Sequence, residues 1–112
     1  MDHLDLVFSA VADPTRRAIL ASLQRGPATI TELARPLPMS FAAVSKHVMT
    51  LERARLIRRE VVGREHRCHL AARPLEEAAG WIEPYRRFWE ERLDALAAHV
   101  LKRRRRGSGR GR

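Results

Sequence analysis

Ile30-Thr31-Glu32-Leu33-Ala34-Arg35-Pro36-Leu37-Pro38-Met39-Ser40-Phe41-Ala42-Ala43-Val44-Ser45-Lys46-His47-Val48-Met49-Thr50-Leu51-Glu52-Arg53-Ala54 reads as helix, turn, helix. Thr31 is of a type that caps a helix N-terminus, and Glu32 sits where the helix dipole favours an acid. The first helix is expected to stop before Pro36 or Pro38, because a proline disfavours helical geometry in the residue ahead of it. Ser40 offers a second cap. Beyond it Val44, Val48 and Leu51 recur at i, i+4, i+7, one apolar face of a helix over residues 40–54. The opposite face carries Ala42, Lys46, Met49 and Arg53, with Phe41 and Ser45 on its N-terminal flank.

An ordinary amphipathic helix would have the same inner stripe, so the outer face is the informative one. Near its N-terminus it is small, hydroxylated or basic, and an acid appears only at Glu52. Small residues permit close approach to a DNA major groove. Ser and Lys donate hydrogen bonds, and Phe or Ala can touch a thymine methyl. The alternative is a polar face that is merely solvated.

The placement of charge points the same way. The 112 residues carry a formal net charge of +9. Residues 102–112 contribute +7, with no acid, and the remainder +2. Residues 40–73 hold eight Lys or Arg against three acids, whereas residues 74–101 hold three Arg against six acids. The basic excess of the body therefore coincides with the proposed reading helix and the segment C-terminal to it, as expected of a nucleic-acid surface. The apolar fraction, 45%, is that of a folded domain. No run is long and apolar enough for a membrane span, and the acidic start Met1-Asp2-His3-Leu4-Asp5 does not resemble a signal peptide. A cytoplasmic protein without membrane insertion is expected. The lone Cys68 excludes an intramolecular disulfide.

Residues 2–12 are expected to form a helix with Leu4, Val7, Phe8 and Val11 on one side. Asp13-Pro14 starts the next, with Asp as cap and Pro at the first helical position, where its missing N–H costs nothing. Ala18, Ile19, Leu20 and Leu23 supply its buried side, Arg16 and Arg17 point elsewhere, and Gly26-Pro27 ends it. After residue 56, the segments 57–62 and 65–70 read as two strands around Gly63, a wing over residues 57–70 with Arg64 near its tip. An arginine there can enter the minor groove or pair with phosphate. Arg73-Pro74 opens a C-terminal helical region in which Ile82, Tyr85, Trp89, Leu93, Leu96 and Val100 recur at spacings of three and four, widened by Trp81, Phe88 and Leu101. That is more apolar surface than one helix needs on so small a body. It fits a two-fold homodimer, although plain core is the alternative. Pro84 must kink or split this helix, and Gly80 eases a break. The Arg- and Gly-rich residues 102–112 are expected to be a disordered basic tail, adding either phosphate affinity or only solubility. One domain is expected over residues 1–101.

Taken in order, Ala12-Asp13-Pro14-Thr15-Arg16-Arg17-Ala18-Ile19-Leu20, Ile30-Thr31-Glu32-Leu33-Ala34, Met39-Ser40-Phe41-Ala42-Ala43-Val44-Ser45-Lys46-His47-Val48 and Leu51-Glu52-Arg53-Ala54 resemble the ArsR/SmtB-type winged helix-turn-helix repressors. The likeness covers about residues 4–101. With Trp81-Ile82 and Phe88-Trp89-Glu90-Glu91-Arg92-Leu93, the chain looks like the autorepressor subgroup that lacks metal-binding cysteines. The resemblance implies a mainly α fold with a small β-hairpin and a sequence-specific regulator of transcription, usually a repressor, acting on double-stranded operator DNA. It implies reading residues Ser40, Phe41, Ala42, Ser45 and Lys46, in agreement with the face derived above, and Arg64 at the wing. It also implies dimerisation through the first and last helices, at Leu4, Val7, Phe8, Ile82, Tyr85, Trp89, Leu93 and Leu96. His47 matches a frequent family histidine and reads as a polar residue at the edge of the core.

The chain departs from the family in two places. The segment Thr29-Ile30-Thr31-Glu32-Leu33 has no thiol where the metal sensors carry a cysteine pair, and Asp94 and His99 have the wrong spacing for the other sensor site. No metal and no cofactor is expected. Arg55 stands where the family usually has a glycine in a left-handed helix cap, so it either bears strain or ends the helix differently. His66 and Cys68 share a strand face and could ligate a metal only with help from another chain, since two ligands are too few. The plainer reading is a buried cysteine beside exposed histidines. Ser45, His47 and Glu52 are spread around one helix and cannot assemble as a catalytic triad, so no enzyme is expected. A winged-helix protein-interaction module and a redox or metal switch at Cys68 remain as alternative readings.

Overall fold

The computed structural model describes residues 2–110, with side chains through residue 105. In order, α1 (His3–Val11), α2 (Pro14–Gln24), β1 (Ala28–Thr29), α3 (Ile30–Ala34), α4 (Phe41–Arg53), β2 (Ile57–Val62), β3 (Glu65–Leu70) and α5 (Arg73–Arg110) follow one another. The chain divides into two compact units, Met1–Ala78 and Ala79–Arg112.

In the first unit each helix start has a local cause. Asp2 and Asp5 form a reciprocal capping box on α1. The Asp13 carboxylate accepts from the Arg16 N–H at 3.0 Å, with Pro14 inside the first turn. The cap of α3 is Thr29 rather than Thr31. A capping box pairs a polar cap side chain with an acid three residues on, and Thr29–Glu32 satisfies that spacing: the Glu32 N–H donates to Thr29 Oγ1 at 3.1 Å, and the Thr29 N–H donates to Glu32 Oε1 at 3.1 Å. Ser40 caps α4 through the Ala43 N–H at 3.1 Å.

Arg16 does structural work that its outward position in the sequence pattern concealed. Its Nε donates to the Ala10 carbonyl at 2.7 Å and its Nη2 to the Ser9 carbonyl at 3.1 Å, while Arg17 donates to the Val11 carbonyl at 2.8 Å. Two cations thus satisfy the Ala10 and Val11 carbonyls at the end of α1 and add a second donor to Ser9, which already accepts from the Ala12 N–H. Arg16 Nη1 also lies 3.2 Å from His47 Nδ1 on α4. Because arginine only donates, Nδ1 is the acceptor and the imidazole proton sits on Nε2. Ala18, expected on the buried side of α2, is exposed; Ile19, Leu20 and Leu23 carry that face without it.

The expected hairpin is one strand short of the sheet. β2 and β3 pair antiparallel with Arg59 opposite Cys68, and β1 pairs with the other edge of β3, Ala28 opposite Cys68, giving the order β1-β3-β2. A strand of two residues leaves no periodicity to read. Val7, Ile19, Val44, Val48, Leu51, Leu56 and Cys68 form the fully buried centre.

α4 ends in a Schellman motif. The Arg55 N–H donates to the Glu52 carbonyl and the Leu56 N–H to the Leu51 carbonyl, both at 2.9 Å, and Arg55 takes φ +60°. The arginine therefore keeps the glycine-like geometry, and the buried pair Leu51 and Leu56 makes the apolar contact that accompanies it.

In the second unit α5 is helical through Pro84, which leaves the Gly80 carbonyl without its usual N–H donor but does not split the helix. The helix also continues past Leu101 to Arg110. Over residues 102–106 the Lys and Arg are good helix formers, and a nucleated helix propagates readily. The part of that tail at residues 111 and 112 lies outside the described residues. Arg86 bridges Glu83 at 2.6 Å and Glu90 at 3.1 Å. Trp81 packs on Tyr85 with centroids 5.3 Å apart, and Arg92 lies over the Phe88 ring at 4.5 Å.

Arg55→Gly removes the left-handed penalty of a side-chain-bearing residue. It should raise the unfolding free energy by about 1 kcal/mol, read as a higher urea midpoint at unchanged slope. The Asp13 carboxyl is held below the usual carboxylate range chiefly by the Arg16 N–H, and the Glu32 carboxyl by the N–H and then the hydroxyl of Thr29. A carboxyl lowered in the folded state stabilises above its unfolded value and loses that stabilisation as pH falls through the folded one. The protein should therefore weaken on acidification below about pH 4. Combined Asp13→Asn and Glu32→Gln should make that decline shallower in thermal melts across the acid range.

Candidate nucleic-acid interface

The inner stripe of α4 fixes what its outer face presents. Val44, Val48 and Leu51 are 0% exposed, so Ala42, Lys46, Met49 and Arg53 point to solvent. Phe41 is 55% exposed and Met49 44%, large apolar groups left open at the protein surface. The Ser40 oxygen accepts the capping bond, which leaves its O–H to donate outward. Ser45 is half-buried.

A groove of about 540 Å³ separates the N-terminal half of α4 from the wing. Phe41 and Ser45 line it on one side and Arg64, Glu65 and His66 on the other; Thr29, Ile30, Thr31 and Glu32 at the start of α3, Arg35 at its C-cap and Arg59 of β2 complete it. Of the expected reading residues, the groove gathers Phe41, Ser45 and Arg64, while Ser40, Ala42 and Lys46 stand on the exposed face beside it. Thr31, Arg35 and Arg59 are groove residues that the sequence reading missed. Thr31 and Arg35 were accessible to it, being one turn apart on the side of α3 away from the buried Ile30 and Leu33. Arg59 was not, because its role depends on pairing across the sheet.

The acids of the groove are mostly engaged. Of the two acids that line it, Glu32 is held in its capping box and Glu65 lies 3.8 Å from Arg67; Glu52, outside the lining, is 2.5 Å from Arg59. Arg35 and Arg64 have no carboxylate within ion-pair distance among the described residues. The groove therefore presents cationic ends to an approaching polyanion.

The expected dimer residues divide. Ile82, Tyr85, Trp89, Leu93 and Leu96 are exposed, Trp89 by 62%, and form an open apolar stripe. Leu4 and Phe8 are half-buried against the core of the first unit. Val7 is corrected: at 1% exposure it belongs to that core, because Val7 and Ala10 are the inward stripe of the nine-residue α1.

Ser45, His47 and Glu52 do not converge, and the latter two are held by Arg16 and Arg59. Cys68 is sealed in the core, and His66 Nδ1 is taken by Arg59 at 3.1 Å, so the two do not present an open ligand pair. Among the described residues no three His, Cys, Asp or Glu side chains are grouped to hold a metal ion, and no helix is long and apolar enough to cross a membrane.

Comparison with known proteins agrees with this geometry. Residues 11–60 match a helix-turn-helix domain model. The transcriptional repressor SdpR of Bacillus subtilis is 32% identical over 76 residues, 68% of this chain and 84% of that protein. The crystal structure of the ArsR family transcriptional regulator RHA00566 superposes with a TM-score of 0.72 at 40% identity, covering 79% of this chain and 91% of that one. The chain belongs to the ArsR family. Another relative, the HTH-type transcriptional regulator Rv2034 of Mycobacterium tuberculosis, is 51% identical over 53 residues; that match spans 47% of this chain and half the length of that protein. Within the ArsR frame, α3 and α4 are the helix-turn-helix and β2 with β3 the wing.

Burial pushes the Cys68 thiol up, which keeps it protonated at neutral pH. In the folded protein it should react with a disulfide reagent at well under a hundredth of the rate seen in urea. Fast reaction of the native protein would return Cys68 to consideration as a switch.

Proposed function

We propose that this chain is a sequence-specific DNA-binding regulator of transcription, a homodimeric cytoplasmic repressor and not an enzyme. Ser40, Phe41, Ala42, Ser45 and Lys46 enter the major groove of operator DNA, and Arg64 meets the minor groove or a phosphate. The observation that carries this reading is the exposed outer face of α4, set beside a wing-tip arginine across a groove in which Arg35 and Arg64 have no carboxylate within ion-pair distance among the described residues. The repressor relative supports the direction of regulation. The open stripe of Ile82, Tyr85, Trp89, Leu93 and Leu96 supports dimerisation by a second copy, since an apolar surface of that length is seldom left to water. A two-fold dimer would match two reading helices to two half-sites. Residues 1–101 act as the DNA-binding and dimerising part, without a bound cofactor, and the basic residues beyond them add phosphate affinity that is indifferent to sequence.

A gel-shift titration with DNA from upstream of the chain's own gene, against scrambled DNA at two salt concentrations, tests this. The expected outcome is competitor-resistant binding to the upstream DNA, weakened by about 1–3 kcal/mol in Lys46→Ala if the ammonium contacts a base. Equal, salt-sensitive binding to both DNAs would overturn the reading.

A further inference from the structure

The wing is held to the reading helix at few points. In β2 only Ile57, at the base of the hairpin, is buried, and in β3 only Cys68, midway along it. Beyond the Arg59–Cys68 pair, the pairs Val61–His66 and Val62–Glu65 are exposed, so the tip that carries Arg64 projects without core contacts of its own. Arg59 reaches from the hairpin to α4. Arg59 stands opposite Cys68 and on the same face of the hairpin as His66, two residues nearer the tip in β3. Its Nη2 donates to Glu52 Oε1 at 2.5 Å, near the C-terminus of α4, and its Nη1 to His66 Nδ1 at 3.1 Å. Its Nε is buried with no partner, so the guanidinium is committed to its two ends.

We propose that Arg59 is a positioning residue for DNA binding: by gripping Glu52 of α4 and His66 of β3 at once, it fixes the separation between the reading helix and the wing tip, so that Lys46 and Arg64 reach one DNA duplex together. This rests on the reading under Proposed function. A planar fork with fixed donor directions can hold two acceptors in one geometry, which an ammonium on a flexible stem cannot. His66 serves only as an acceptor here, with its proton on Nε2.

The sign of one substitution separates this role from plain electrostatics. Glu52→Gln removes a negative charge near the DNA face, and by charge alone should tighten binding to any DNA. Positioning requires the reverse for the operator: weaker binding, because the Gln amide makes a poorer anchor, with non-specific affinity unchanged or higher. A double-mutant cycle with Arg64→Ala completes the test. In the parent protein Arg64→Ala should weaken operator binding on the order of tenfold, and in the Glu52→Gln background by less than about twofold, because the wing no longer delivers Arg64. Arg59→Lys, which keeps the charge but loses the fork, should behave as Glu52→Gln does. Melting curves and circular dichroism confirm that each variant is folded before it is titrated. Tighter operator binding by Glu52→Gln, or equal losses from Arg64→Ala in both backgrounds, would overturn the positioning role while leaving the DNA-binding reading intact. No loss from Arg64→Ala in the parent protein would overturn the wing contact itself, and the positioning role with it.

Discussion

Val44, Val48 and Leu51 have no solvent exposure at all, and α1, α2, α3 and β2 each pack against the helix that carries them. Burying side chains of this size contributes about 1.5–3 kcal/mol apiece, which fixes the roll of α4 about its own axis. The outer face then needs no separate instruction. Once these three side chains point inward, the periodicity of the helix turns Ala42, Lys46 and Met49 outward. The Schellman turn at Arg55 extends the same constraint, because Leu56 caps Leu51 and β2 begins at the next residue. Core packing thereby sets where the reading face points and where the wing begins.

Much of this is legible in the sequence because it is local. Asp13-Pro14 and Ser40 act within one turn of where they stand, and the wing strands fall at 57–62 and 65–70 as expected. Sequence and fold part company where a local signal has a rival or where the partner is distant. Thr29 and Thr31 are both plausible caps, and only the spacing to Glu32 decides between them. β1 exists because β3 offers it an edge, not because two residues prefer to be extended. Val7 sits on a helix with apolar residues on more than one side, so periodicity could not tell core from interface.

The same division runs through the candidate site. Residues that present themselves to solvent on a regular helix could be named in advance. Residues whose meaning lies in a contact could not: Arg16 reads as a surface cation, yet it closes the end of α1 and reaches His47 on α4. Arg59 likewise reads as one of several wing arginines until its pairing with Cys68 places it against Glu52. Arginine is well suited to such ties, since its donors diverge from a rigid plane.

Glu52 illustrates how charge and geometry are linked in this surface. A free carboxylate on the reading helix would repel a phosphate backbone, and the sequence alone suggests a flaw in an otherwise basic face. In the fold that carboxylate is half-buried and bound to Arg59, so its charge is neutralised by a cation that would otherwise be available to DNA. The net field of the groove is little changed by removing both charges, whereas its shape depends on keeping both. Evenly spread positive charge would attract any nucleic acid. Under the proposed positioning role, a wing and a helix held at a set spacing favour a duplex whose grooves match that spacing, and the pair at Glu52 and Arg59 gives up a little attraction for that selectivity.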